Sequence, residues 1–165
     1  MMKKRYFLQV GVAIFITACV SDDLSGRKKV MAIPKGTFEI TKTEAQWKKI
    51  LTPEQFEVLR KEGTERPGSS PLDHEYGKGT YICAGCELPL FTSQTKFDSG
   101  TGWPSFYAPI KGAIGTSVDT SLFMTRVEVH CRRCGGHLGH VFDDGPKPTG
   151  KRYCMNGVAF KFIPG

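Results

Sequence analysis

Six cysteines are the most reactive residues of this 165-residue sequence, and their spacing divides them into two close pairs and two single residues. Four form two CxxC pairs, Cys83-Ala84-Gly85-Cys86 and Cys131-Arg132-Arg133-Cys134, whereas Cys19 and Cys154 stand apart. A CxxC turn brings two thiolates to one side of a tight loop, and two such turns supply the four sulfurs of a tetrahedral zinc site. The ligands predicted for one structural Zn²⁺ are therefore Cys83, Cys86, Cys131 and Cys134.

Two alternatives remain open for the CxxC pairs. An even number of cysteines in an exported chain suggests disulfides, and a CxxC pair also suggests a redox-active dithiol. Thioredoxin-type pairs stand at the start of a helix, whereas Pro89 soon follows Cys86 and does not suit a continuing helix. His137 and His140 lie close behind the second pair. Because four sulfurs already close a structural site, these histidines are predicted not to be ligands.

Cys154 is the candidate nucleophile. On an extended strand, Arg152 and Asn156 lie two residues before and after it and point to the same face as its sulfur. A guanidinium group there favours the thiolate, and a carboxamide can donate a hydrogen bond to a bound polar group. A buried, inert cysteine is the alternative.

The elements that must position these residues change from helical to β along the chain. Thr43 can cap a first helix, and Thr52 a second one that has Pro53 at its first position and ends at Gly63. From Tyr81 onward, short apolar runs alternate with Gly and Pro turns, which predicts strands. The clearest strands are residues 122–130 and 152–163, and the predicted apolar face of the first helix comprises Trp47, Ile50 and Leu51. We expect a mainly β (α+β) fold with short N-terminal helices on a twisted antiparallel sheet.

The N-terminus has the pattern of a signal peptide. Three positive charges within residues 1–5 precede an apolar run over residues 7–18, which is shorter than the roughly 20 residues that span a bilayer as a helix. Ile16-Thr17-Ala18-Cys19 resembles the lipobox of bacterial lipoproteins. We predict a signal peptide over residues 1–18, lipidation of Cys19 and a flexible tether over residues 19–42. A secreted chain without a lipid and an uncleaved anchor are the alternatives.

The net charge of the exported chain is mild, and the residue after Cys19 bears on which membrane it reaches. Removing residues 1–18 lowers the formal charge from +7 to +4, and no basic run stands out, so nucleic acid is not an expected partner. Membrane contact is expected through the lipid anchor only. Val20 follows Cys19 where an inner-membrane retention signal usually has Asp. In a Gram-negative host we therefore expect the chain at the outer membrane, facing the periplasm.

Three motifs of the β region are Gly102-Trp103-Pro104-Ser105-Phe106, the run from His130 to Phe142 that contains His137-Leu138-Gly139-His140, and Arg152-Tyr153-Cys154-x-Asn156. Together they resemble the motifs of the B-type methionine sulfoxide reductases. The resemblance covers residues 43–164, which we take as the reductase domain. It implies a fold of two antiparallel sheets, a structural zinc away from the active site, and reduction of the R epimer of methionine sulfoxide in oxidised proteins.

The resemblance also implies a role for each matching residue. The Cys154 thiolate attacks the sulfoxide sulfur and becomes a sulfenic acid, and Arg152 supports the thiolate. Trp103 packs against the substrate methyl group. His137, His140 and Asn156 line the site and donate to the sulfoxide oxygen or orient water. Phe142 and Phe160 complete the apolar side of the pocket, with ordinary core packing as the alternative for both and for Trp103.

One departure from the family pattern has a chemical consequence. Many members carry a resolving cysteine before the tryptophan, where this chain has Thr101. The sulfenic acid must then be reduced by an external thiol, from a thioredoxin-like protein or another reductant. We expect a monomer that acts in oxidative stress on oxidised, methionine-containing proteins. A zinc-ribbon binding module and a thiol-disulfide oxidoreductase are competing hypotheses, but neither uses Cys154.

Overall fold

The computed structural model describes residues 38–121 and 124–165. The predicted signal peptide, Cys19 and most of the predicted tether lie outside these residues. In the described part of the chain, two α-helices precede nine strands. The helices are α1 (Glu44–Lys48) and α2 (Pro53–Lys61), and the strands are β1 (Gly79–Cys83), β2 (Pro89–Thr92), β3 (Lys96–Phe97), β4 (Ser105–Phe106), β5 (Ile114–Asp119), β6 (Arg126–Cys131), β7 (His137–Phe142), β8 (Arg152–Met155) and β9 (Phe160–Pro164). No helix among the described residues is long and apolar enough to cross a membrane.

Both helices begin where the capping residues predict. Thr43 and Thr52 each form a capping box with the glutamine three residues on, so side chains satisfy the first free backbone N–H groups. The end of α2 differs by one residue from the prediction, because Glu62, not Gly63, adopts the left-handed conformation (φ 60°). The apolar face predicted for α1 was partly wrong. Since α1 stops at Lys48, Ile50 leaves that face and is 55% exposed.

All strand pairs are antiparallel and form two sheets, which confirms the predicted fold class. The smaller sheet has the order β2-β1-β9, and the larger one β3-β4-β8-β7-β6-β5. The single strand predicted over residues 152–163 is two strands in different sheets. A 3-10 turn at Gly157–Ala159 separates β8 from β9 and carries the chain from one sheet to the other.

An aromatic cluster fills the core. Phe91 stacks on Phe106 with ring centroids 4.4 Å apart, and Tyr81 and Phe160 meet these rings edge-on. All four side chains are buried. Each such ring removes about 150–250 Å² of surface from water. The core therefore joins β1, β2 and β9 of the smaller sheet to β4 of the larger one.

Candidate active site and metal site

The two CxxC turns have the same backbone geometry. In the first turn the Glu87 N–H donates to the Cys83 carbonyl, and in the second the Gly135 N–H donates to the Cys131 carbonyl, at 2.8 and 2.9 Å. Glu87 and Gly135 both have a positive φ, of 61° and 67°. Each turn thus reverses the chain tightly enough for both of its thiols to point to one side.

The four sulfurs of these turns converge in one cluster and lie within 4.8 Å of one another. Cys83 Sγ is 3.8 Å from Cys134 Sγ, and Cys86 Sγ is 3.5 Å from Cys131 Sγ. Four sulfurs at the usual Zn–S distance of 2.3 Å around a tetrahedral ion stand about 3.8 Å apart, whereas a disulfide needs about 2.05 Å. The spacing fits a tetrahedral metal site and not disulfides. Within the described chain, no histidine belongs to this cluster.

Cys154 lies in β8, between β4 and β7 of the larger sheet. Its direct partners across the ladders are Ser105 of β4 and His140 of β7. Glu128 of β6 stands opposite His140, and Ser117 of β5 stands opposite Glu128. Directly opposite residues share one face of a sheet. Four strand pairings therefore place the predicted nucleophile and a histidine in a single polar row.

A β-bulge adds His137 to this face. Val129 pairs with Gly139 but His130 pairs with His137, so β7 has one extra residue at Leu138. An extra residue inverts the alternation of side chains along a strand. The rings of His137 and His140, three residues apart, consequently meet with centroids 5.3 Å apart.

Each of these histidines is paired with a carboxylate. His140 Nε2 lies 2.8 Å from Asp119 Oδ2, and His137 Nδ1 lies 2.9 Å from Glu128 Oε1. Hydrogen bonds from Ser121 and His140 hold the pKa of Asp119 well below its ordinary value, while burial lowers that of His140. Asp119 is therefore an anion at neutral pH, and His140 is largely neutral. A neutral imidazole held by a carboxylate can both accept and donate a proton.

The surroundings of the Cys154 thiol act on its pKa in opposite directions. Burial raises this pKa, while the Thr101 hydroxyl and the Arg152 guanidinium lower it, and burial dominates. Arg152 binds both carboxylate oxygens of Asp144, at 2.9 and 2.8 Å, and lies 4.5 Å above the Phe142 ring. The Arg152 guanidinium therefore favours the Cys154 thiolate, as predicted, but it does not by itself lower the pKa of this thiol below its ordinary value.

Thr101 occupies the position that faces the nucleophile. Its Oγ1 is 3.9 Å from Cys154 Sγ, and a hydrogen bond of 2.8 Å links it to Ser99 Oγ. Among the described cysteines, only Cys154 lies outside the four-sulfur cluster. No described cysteine thus stands beside Cys154 to form a disulfide with it.

The predicted role of Asn156 needs correction in its geometry. β8 ends at Met155, so Asn156 is not on the strand that carries Cys154. Its buried amide donates to the Leu138 carbonyl at 3.0 Å and accepts from the Glu65 N–H at 2.9 Å. Both ends of this amide hold backbone groups, so Asn156 fixes the end of β8.

The two phenylalanines predicted for the pocket lie in different places. Phe142 stands opposite Arg152 on the face of Cys154, as a pocket residue would. Phe160 is buried in the core between the sheets, which corresponds to the alternative given for it. Trp103 is partly exposed beside β4, and its indole N–H donates to the Glu65 carbonyl at 3.1 Å.

Comparison with known proteins places the chain in a family. A family model described as the SelR domain matches residues 51–164. The chain is 59% identical to the peptide methionine sulfoxide reductase MsrB of Methanosarcina barkeri over 124 residues, which cover 74% of this chain and 87% of the relative. The MsrB proteins of Leptospira interrogans and Agrobacterium fabrum are each 52% identical, over 76% of this chain and 96% and 94% of their own lengths.

The chain belongs to the MsrB family of peptide methionine sulfoxide reductases. Membership confirms the resemblance that the three motifs predicted, and it makes the chain an oxidoreductase. The roles of individual residues remain predictions. This holds for the nucleophile, the metal ligands and the substrate-binding residues.

Sequence reasoning missed the two carboxylates that pair with the histidines, Asp119 and Glu128, and it also missed Glu65. Glu65 contacts both Trp103 and Asn156 through its backbone, and its carboxylate accepts from the N–H groups of Gly157 and Val158. It lies in an irregular segment rich in Gly, Pro and Ser. A single acidic residue there has no periodicity or spacing that would have indicated such contacts.

Proposed function

We propose that this chain reduces the R epimer of methionine sulfoxide in oxidised proteins. The observation that carries the proposal is the position of Cys154, in a row with His140 on one face of the larger sheet of an MsrB domain. In the proposed step, the Cys154 thiolate attacks the sulfoxide sulfur and the oxygen passes to the cysteine. The thiol and the sulfoxide become a sulfenic acid and a thioether, so two electrons move from cysteine to methionine.

His140 carries the proton in this proposal. It takes the proton of the Cys154 thiol and returns it to the sulfoxide oxygen as the S–O bond breaks. Asp119, 2.8 Å away, stabilises the imidazolium that forms between these two events. Because burial raises the pKa of the thiol, a base beside it is needed at neutral pH.

Trp103 supplies the apolar wall for the substrate methyl group, and Phe142 the floor beneath Arg152. His137 lies beside His140 and offers a second polar contact to the sulfoxide oxygen. The site thus offers an apolar wall to the substrate methyl group on one side and hydrogen-bonding groups to the sulfoxide oxygen on the other. The S epimer would exchange these two substituents and leave the polar groups of the site unpaired, so the site distinguishes the epimers.

Recycling requires an external thiol. One thiol of the reductant attacks the Cys154 sulfenic acid and releases water, forming a mixed disulfide. A second thiol then displaces Cys154 and leaves the reductant oxidised. A thioredoxin-like dithiol supplies both groups, which fits a site where Thr101 faces the nucleophile.

Zinc is the metal that we propose for the four-cysteine cluster. Four thiolates suit Zn²⁺, and the sulfur spacing fits its tetrahedral geometry. Zinc bound there would join the turn after β1 to the turn after β6 and leave no open position for a substrate. Its role is structural.

The proposed setting is the cell envelope. Residues 1–18 form a signal peptide, Cys19 carries the lipid, and a tether up to residue 42 leads to a monomeric reductase domain over residues 43–164. The substrates are oxidised envelope proteins that face the periplasm at the outer membrane. Palmitate labelling of the chain and of a Cys19→Ser variant tests the anchor, since equal labelling of both would refute it.

Activity on separated sulfoxide epimers tests the main proposal. Wild-type protein and a Cys154→Ser variant are given peptides containing the R or the S epimer, with a dithiol as reductant. We expect turnover of the R epimer by the wild type alone. Equal rates on both epimers, or full activity in the variant, would overturn the assignment. A thiol-disulfide oxidoreductase would keep its activity in that variant.

A further inference from the structure

We propose that Glu65 is a positioning residue, which sets the orientation of the Trp103 ring relative to Cys154. The proposal rests on the function proposed above. Trp103 precedes β4 and Cys154 lies in β8, so the wall and the nucleophile come from separate segments. Glu65 belongs to a third segment and contacts both of them through all of its polar groups.

The two backbone groups of Glu65 hold one side each. Its carbonyl accepts the indole N–H of Trp103 at 3.1 Å, and its N–H donates to Asn156 Oδ1 at 2.9 Å. The β4–β8 ladder already fixes the backbone beside Trp103, because Ser105 pairs with Cys154 and the Met155 N–H donates to the Pro104 carbonyl. A ladder does not set the direction of a side chain. The Glu65 carbonyl supplies that direction for the indole.

The carboxylate keeps the Glu65 backbone in place. It accepts the N–H groups of Gly157 at 2.6 Å and Val158 at 2.9 Å, at the start of the turn that follows β8. These are charge-assisted hydrogen bonds, which are about twice as strong as neutral ones. Glu65 has no helix or strand of its own to hold it, since α2 ends four residues earlier at Lys61.

A second contact brings the same segment to the Trp103 loop. The Gly68 N–H donates to the Gly102 carbonyl at 2.7 Å. Ser70 packs against Gly157 and occupies the space that a side chain at position 157 would need. Glu65, Gly68 and Ser70 thus form a bridge between the Trp103 loop and the turn that follows β8. Loss of the carboxylate should loosen this bridge while the β4–β8 ladder survives.

Two rates measured on the same protein test the proposal. Iodoacetamide alkylates Cys154 without needing the tryptophan wall, whereas reduction of a methionine sulfoxide peptide needs both groups. For Glu65→Gln and Glu65→Ala we expect kcat/KM for reduction to fall at least tenfold, with the alkylation rate of Cys154 within twofold of wild type. Alkylation is followed on the peptide that contains Cys154, below the unfolding temperature of each variant.

Glu75→Gln is the matched control. Its carboxylate also accepts a backbone N–H, from Gly77 at 2.6 Å, but it makes none of the described hydrogen bonds to Trp103 or Asn156. We expect both of its rates within twofold of wild type. A purely structural role for Glu65 would lower the rate of reduction and change the alkylation rate more than twofold, because a loosened fold exposes a thiol that is now partly buried. An alkylation rate changed more than twofold, or unchanged reduction, would overturn the proposal.

A double variant tests whether Glu65 acts through the indole. Trp103→Phe keeps an aromatic wall but lacks the N–H that Glu65 binds. Adding Glu65→Gln to it should lower kcat/KM by less than threefold, compared with at least tenfold in the wild-type background. Equal factors in the two backgrounds would refute coupling through this contact. Failure of the wild type to reduce the R epimer would instead refute the proposed function.

Discussion

Replacing Thr101 with cysteine should convert the recycling of Cys154 from an external to an internal reaction. Thr101 Oγ1 is 3.9 Å from Cys154 Sγ, and a sulfur in its place needs to approach to about 2.05 Å. A longer C–S bond and a change of rotamer supply much of this approach. We therefore expect the new thiol to attack the sulfenic acid, release water and form a disulfide.

The size of the effect follows from the loop that this disulfide would close. Residues 101 and 154 are 53 positions apart. A crosslink over that distance lowers the entropy of the unfolded chain by an amount worth about 4 kcal/mol at 25 °C, before any strain in the folded state. The oxidised variant should accordingly unfold at a higher temperature than its reduced form, and strain in the bridge would reduce the difference.

Intact mass and free-thiol counting after one turnover without reductant distinguish the two chemistries. The wild type should gain one oxygen atom and react with a sulfenic-acid probe. The Thr101→Cys variant should instead lose two hydrogen atoms, fail to react with the probe and show the raised unfolding temperature. A Thr101→Ser variant is the matched control and should behave as the wild type. Persistent sulfenic acid in the cysteine variant would refute the proximity that the structure gives.

Three further predictions concern the site and its support. Stripping the metal or replacing Cys131 with Ser should unfold the domain at a lower temperature in a thermal melt, because zinc binding by such turns contributes on the order of 10 kcal/mol in small zinc peptides; an unchanged melt would contradict a structural role. Alkylation of Cys154 should rise with pH through a pKa above the ordinary thiol value, and Arg152→Gln should move that midpoint higher, since the guanidinium favours the thiolate; a downward shift would contradict this. Asp119→Asn should lower kcat at least tenfold in steady-state assays with little change in KM, because His140 loses the anion that stabilises its charged form; a rise in KM alone would assign Asp119 to substrate binding instead.

Local signals in the sequence predicted much of this structure. The capping boxes at Thr43 and Thr52 depend on residues three positions apart, and the metal cluster on two four-residue turns, so both were visible in the chain. The division of residues 152–163 into two strands was not visible in the sequence. It depends on Asn156, whose amide is held by Leu138 and by a residue 91 positions away. Hydrophobic periodicity is a local pattern and does not indicate contacts with residues so far away in the sequence.

The bulge at Leu138 shows the same limit at the active site. Strict alternation along β7 would place His137 and His140 on opposite faces, since they are three residues apart. The extra residue reverses this and brings both rings to the face of Cys154. Motif spacing named the two histidines, but only the strand register explains why both can serve one site.

The unequal burial of the two histidine–carboxylate pairs argues for different tasks. The His137 side chain is 3% exposed and Glu128 5%, and within the described residues Nε2 of His137 has no hydrogen-bond partner. An unsatisfied buried nitrogen costs about 1–3 kcal/mol. A polar substrate atom that forms a hydrogen bond with this nitrogen removes that penalty, which favours substrate binding. His140 is more exposed and lies directly opposite Cys154, which suits proton exchange. We therefore propose that His137 binds the substrate and that His140 transfers the proton.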